Sequence, residues 1–123
     1  MARILVIDDN NEMRDVLRRW LEGAGYEVTE ASDGDEGIKL FHKEPADLVI
    51  ADIIMPRKEG IETMVELRRD FPDLKIIAIS GGGIEKPENY LEGAKLIGGA
   101  LRTFTKPFKR DDLLQAVKEL LSK

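Results

Sequence analysis

Five short apolar runs punctuate the chain, and each is followed by a stretch whose apolar residues recur at helical spacing. Arg3 to Ile7 is a β-branched run, after which Met13, Val16, Leu17, Trp20, Leu21 and Ala24 return at the interval of an amphipathic helix ended by Gly23 and Gly25. Tyr26 to Ala31 predicts a second strand, and Gly34 to Phe41 a weaker helix with Ile38 and Phe41 inward, closed by Pro45. Leu48 to Ala51 predicts the third strand. Ile61, Met64, Val65 and Leu67 mark a helix opened at Gly60 and closed at Pro72, and Leu74 to Ile79 predicts the fourth strand. Pro87 suits the first turn of another helix, with Tyr90, Leu91, Ala94 and Ile97 inward until Gly98 and Gly99 stop it. Leu101 to Thr105 predicts the last strand, and Leu113, Leu114, Val117, Leu120 and Leu121 line one face of the last helix.

Strict alternation of apolar strands with helices implies a parallel sheet covered on both faces, with right-handed crossovers. The expected architecture is therefore α/β, a flavodoxin-like doubly wound sheet of five strands in the order 2-1-3-4-5 with five helices. Ligands in such sheets bind at the carboxyl ends of the strands, where the strand order reverses. For this order the reversal lies between the first and third strands, whose runs end in Asp8-Asp9 and in Asp52. The fourth and fifth runs end in Ser80 and in Lys106 followed by Pro107, so the five polar groups are expected to meet at one edge.

Composition narrows the chemistry. A length of 123 residues supports a single domain, 1–123, able to bury roughly two thirds of its unfolded surface. With no cysteine and one histidine, disulfides, thiolate sites and imidazole clusters are excluded, and any metal site must be built from oxygen. The net charge of -5 comes without a basic stripe, which argues against direct nucleic-acid binding. No apolar stretch approaches a membrane span, and the opening MARILVIDD is no signal peptide, so the expected location is cytoplasmic with no membrane partner.

Each polar residue has a plainer reading when taken alone. Asp9 with Glu12 is a capping pair for the first helix, Asp52 a turn residue before Met55-Pro56, Ser80 the start of a loop, and Lys106 a solvated charge. Jointly they suit one chemistry. Two carboxylates about 4 Å apart repel by about 4 kcal/mol at an effective dielectric near 20, so three call for a cation. With oxygen ligands the natural choice is Mg²⁺, which accepts one or two carboxylates plus a phosphoryl oxygen. Lys106 adds a second positive charge, and Ser80 can donate a hydrogen bond to a phosphoryl oxygen. A carboxylate held among these groups is a nucleophile whose acyl phosphate has its charge met on several sides.

The set of Asp8-Asp9, Asp52 with Met55-Pro56 and Gly60, Ser80, and Lys106-Pro107-Phe108 resembles the receiver domain of bacterial two-component response regulators, over essentially the whole chain. The resemblance implies that Asp52 accepts a phosphoryl group from the phosphohistidine of a sensor histidine kinase or histidine phosphotransfer protein. It implies that Asp9, Asp52 and the backbone carbonyl of Ile54 ligate Mg²⁺, that Asp8 helps through water, and that Ser80 and Lys106 sense and stabilise the phosphoryl group. A cis Lys106-Pro107 peptide is implied as well, since an X-Pro bond makes cis cheap. Such a domain is a phosphoacceptor that takes part in its own phosphorylation and dephosphorylation, not a turnover enzyme, and it acts by binding a downstream target protein.

Three departures from the family pattern concern the switch. The aromatic that commonly stands three residues before the lysine is Thr103 here, and Phe104 beside it points to the opposite face. The path from Ser80 to Lys106, with Gly81-Gly82-Gly83 and Glu85-Lys86-Pro87, is a few residues longer than usual. Since threonine is too small to act as the rotating ring, the response is expected in the Gly81 to Lys86 loop, whose glycines permit displacement, and the start of the following helix. Ile54 and Gly82 are both non-acidic at positions that tune hydrolysis in the family.

A Mg²⁺-dependent aspartyl phosphatase of the haloacid-dehalogenase type needs a second aspartate two residues after the nucleophile, where this chain has Ile54. An FMN carrier needs a first loop that welcomes phosphate, which Asp8-Asp9 would repel. The triple glycine is a weak anion-loop signal, and neither Trp20 nor His42 is assigned a role. With no output domain after the last helix, the simplest expectation is a stand-alone receiver that acts as a phosphorelay intermediate or by binding a target protein, with truncation of a larger regulator as the alternative.

Overall fold

The computed structural model describes residues 1–53, 60–80 and 99–122. Strands β1 (Arg3–Ile7), β2 (Glu27–Ala31), β3 (Leu48–Asp52), β4 (Ile76–Ser80) and β5 (Arg102–Thr105) form one parallel sheet in the order β2-β1-β3-β4-β5. The expected order is therefore met. Every residue of β3 and β4 is buried, as a central strand covered on both faces requires, whereas the edge strands β2 and β5 are mostly half-exposed.

Four helices stand among the described residues: α1 (Asn11–Gly23), α2 (Gly34–Lys43), α3 (Gly60–Asp70) and α4 (Arg110–Leu121). The helix expected from Pro87, the Gly81 to Lys86 loop, Ile54 and Met55-Pro56 lie outside those residues. Among the described residues no helix is long and apolar enough to cross a membrane.

Two cores flank the sheet. On one face Leu5, Ile7, Val49, Ala51, Ile76 and Ala78 pack against Phe41 of α2 and Met64 and Leu67 of α3. On the other, Ile4, Val6, Leu48, Ile50, Ile77 and Ile79 meet Leu17 and Leu21 of α1 and Leu113, Val117 and Leu120 of α4. Phe104 joins this second face, while its neighbour Thr103 pairs with Ala78 of the first. Trp20 packs edge-on to Phe108 at 6.1 Å, and the exposed His42 bonds Asp70 at 3.1 Å.

Most strands shift at an edge by one or two residues from the sequence reading, and two boundaries have a visible cause. The fourth strand begins at Ile76, not Leu74, because the Leu74 N–H turns back to the Phe71 carbonyl. It runs on to include Ser80. The first helix is capped by Asn10, not Asp9: Asn10 Oδ1 accepts the Met13 N–H at 3.0 Å. Asp9 therefore has no capping duty on this helix.

Candidate functional site

Strand alternation decides which polar groups meet. Val6, Ile50 and Phe104 lie on the α1/α4 face, and two residues further on, with the same parity, stand Asp8, Asp52 and Lys106. Lys106 Nζ donates to Asp8 Oδ2 at 3.0 Å and to Asp52 Oδ2 at 3.1 Å. Asp8 is fully buried and Asp52 nearly so, at 4% exposure, while the Lys106 side chain is mostly covered. Buried charges of this kind persist only when paired and hydrogen-bonded. Asp8 meets that condition on both oxygens, since its Oδ1 accepts the Asn10 N–H at 2.9 Å.

Burial alone would push the Lys106 pKa down, but attraction to Asp52 and then Asp8, with the hydrogen bonds to both, outweighs it, and the net shift is upward. The ammonium is thus charged throughout the neutral range. The Lys106–Pro107 peptide is cis.

Asp9 is exposed at the rim, yet one carboxylate oxygen from each of Asp8, Asp9 and Asp52 lies within 4.8 Å of the other two. One cation cannot balance three carboxylates. The donor set is all oxygen, with an exposed side for water, which fits a hard divalent ion such as Mg²⁺ and no soft metal.

Ser80 has the other parity, following Ala78, and stands one residue beyond the level of Asp52 in the β3–β4 register. Its Oγ is buried and has no hydrogen-bond partner among the described residues. Leaving a buried hydroxyl unsatisfied costs about 1–3 kcal/mol, so Ser80 Oγ is available to bond a water or a ligand oxygen that enters the site. Thr103 is half-buried on the same face as Ala78, and no large side chain stands at that position.

Gly60 carries more than a helix start. A Cβ there would come within 2.1 Å of the Asp52 carbonyl oxygen and 2.3 Å of Ile53 Cα, and its N–H bonds the Ile53 carbonyl at 3.1 Å. Because the obstacle is backbone, no rotamer change relieves it. Gly60→Ala is expected to destabilise the fold by about 2–3 kcal/mol, the upper end for overpacking, and to slow any reaction at Asp52. A melt within about 0.5 kcal/mol of wild type would show that α3 shifts freely.

Sequence reasoning missed three contributors: Asn10 as cap, Gly60 as a contact to the Asp52 backbone, and Arg14, whose Nη1 donates to the Asp8 carbonyl at 2.6 Å. Asn10 carried a signal, being a preferred cap residue. Arg14 did not, since a helical arginine is ordinarily a solvated charge.

Comparison with known proteins agrees with this geometry. The family model described as response regulator receiver domain matches residues 4–118. The chain is 36% identical to the response regulator MprA of Mycolicibacterium vanbaalenii over 98% of its own length and 50% of that protein. It is 34% identical to the response regulator receiver protein CpdR of Brucella abortus, covering 98% of each. It thus spans about half of the first relative and nearly all of the second. Among solved structures, the response regulator TrrA of Thermotoga maritima, determined in complex with Mg²⁺-BeF, superposes with a TM-score of 0.85 at 35% identity, covering 98% of this chain and 99% of that one. Sheet order, the carboxylate and lysine cluster, and the extent of these matches lead to one conclusion: the chain belongs to the response regulator receiver domain family, the phosphoacceptor modules of two-component signalling.

Proposed function

We propose that Asp52 is the phosphoacceptor, supplied by the phosphohistidine of a sensor histidine kinase or histidine phosphotransfer protein, and that the acyl phosphate alters binding to a downstream target protein. The observation that carries this reading is the Lys106 ammonium held between Asp8 and Asp52 at the point where the strand order reverses. In the transfer an Asp52 carboxylate oxygen forms the O–P bond as the N–P bond to imidazole breaks, and the bonding pair returns to the ring nitrogen. Lys106 faces the phosphoryl charge, and Ser80 Oγ donates to one of its oxygens.

Asp9 and Asp52 would hold Mg²⁺, assisted by Asp8 and by the Ile54 backbone carbonyl. When bound, the ion would supply positive charge to offset that of the phosphoryl oxygens. Phosphatase turnover is disfavoured because Ile54 stands where that mechanism needs a second acid. In this reading residues 1–123 form one receiver domain.

The test is incubation with acetyl phosphate and Mg²⁺. One acid-stable, base-labile phosphoryl group per chain is expected, with no turnover of phosphomonoesters. An unlabelled chain, or steady phosphomonoester hydrolysis, overturns the assignment.

The metal has its own check. Ligand that binds only the folded state stabilises it by about 2.7 kcal/mol at a hundredfold excess over its dissociation constant. Saturating Mg²⁺ should therefore raise the melting temperature of the wild type, and Asp9→Ala should lose most of the gain. Equal responses in both proteins would place Asp9 outside the metal site.

A further inference from the structure

The Asp8–Asp9 segment is held from β2 by a side-chain relay that the phosphoryl chemistry does not use. The Asp8 N–H donates to the Ala31 carbonyl at 3.1 Å, and the Asp8 carbonyl accepts Arg14 Nη1 at 2.6 Å. Arg14 Nε lies 3.4 Å from Oε1 of Glu30, the residue before Ala31. Arg14 is also bonded to Asn11 Oδ1, and Glu30 is paired with Arg18. The Arg14 side chain is 15% exposed and that of Glu30 25%, so this is a largely covered pair and not a surface one.

The carbonyl that Arg14 grips belongs to the peptide joining Asp8 to Asp9. Fixing that plane fixes the direction in which Asp9 leaves the backbone. Asp9 is exposed, so packing does little to hold it. On the reading that the three carboxylates bind Mg²⁺, we propose that Arg14, oriented by Glu30, is a positioning residue that aims Asp9 and Asp8 at the metal. Outer partners that orient metal ligands typically matter by 10–100-fold in affinity.

A charge-only account makes the opposite prediction. Removing a cation beside a cation site should tighten Mg²⁺ binding, whereas loosening the peptide plane should weaken it. The sign of the change therefore separates the two.

The experiment measures Mg²⁺ dissociation constants by titration calorimetry, alongside metal-free melting temperatures, for wild type, Arg14→Gln, Arg14→Lys, Glu30→Gln and the Arg14→Gln/Glu30→Gln double variant. Arg14→Gln should weaken Mg²⁺ about tenfold. Arg14→Lys should recover part of this, since one ammonium can reach the carbonyl or the carboxylate but lacks the fork to hold both. Glu30→Gln should weaken binding less, and the double variant no more than Arg14→Gln alone, because both act through one contact. A lowered melting temperature with unchanged or tighter Mg²⁺ binding in Arg14→Gln would overturn the proposal. If that variant does not fold, unchanged Mg²⁺ binding in Glu30→Gln would overturn it equally. A wild type that binds no Mg²⁺ would instead overturn the metal-site reading, and this inference with it.

Discussion

Asp52→Asn is expected to take up phosphoryl from acetyl phosphate roughly 10⁶-fold more slowly than wild type or not at all, the scale of loss when a nucleophile is removed. An amide oxygen is neither charged nor basic enough to attack phosphorus, and the other two carboxylates are placed for other work. Asp8 is fully buried with one oxygen on the Asn10 N–H and the other on Lys106, so it is shielded from an incoming phosphodonor. Asp9 sits at the exposed rim, beyond the reach of the lysine contact. The amide is nearly isosteric, so circular dichroism and compactness should be unchanged. Labelling at the wild-type rate would move the acceptor to another residue.

Lys106→Met is expected to cost about 3 kcal/mol of metal-free stability, the lower end of the range for breaking a buried ion pair by removing one partner. Two nearly buried carboxylates are then left facing one another without their cation. Mg²⁺ should restore more stability to the variant than it adds to the wild type, because the ion takes over the missing positive charge. The pH dependence has a definite sign. The folded-state pKa of Lys106 is raised, so its contribution is fully present below the ordinary lysine value of about 10.5 and is lost as pH rises through the higher folded value. The gap between variant and wild type should persist from neutral pH to about pH 10 and narrow above it. Guanidinium unfolding at pH 7 and pH 11 with no added metal measures this, and a gap below about 0.5 kcal/mol at pH 7 would show the lysine to be solvated.

Much of the site was legible because strand ends are. Period-two alternation across β1, β3 and β5 is a local property, and it carries Asp8, Asp52 and Lys106 to one side of the sheet once the strands are recognised. The first helix shows where that reading stops. Asn10 and Asp9 are adjacent and both suit a cap, and only the extended backbone at Asn10 with its bond to Met13 separates them. Strand edges were similarly blurred, since Leu74 is as apolar as Ile76 and only a turn bond to Phe71 removes it from the ladder.

By itself the sequence determined the strand and helix alternation, the parallel doubly wound sheet, the five polar groups at its carboxyl edge and, through the absence of cysteine, an oxygen-only donor set. These follow from periodicity and composition, which act over a few residues at a time. Tertiary structure alone decided the rest. It set which oxygen of Asp8 faces Lys106, the lack of a described partner for the Ser80 hydroxyl, the close approach of Gly60 to the Asp52 carbonyl, and the reach of Arg14 from α1 to the Asp8 peptide and Glu30. Apart from the Ser80 hydroxyl, each of these joins residues from different parts of the chain at distances of a few ångströms. No residue-by-residue preference encodes such contacts, because they exist only after two cores have pressed the helices onto the sheet.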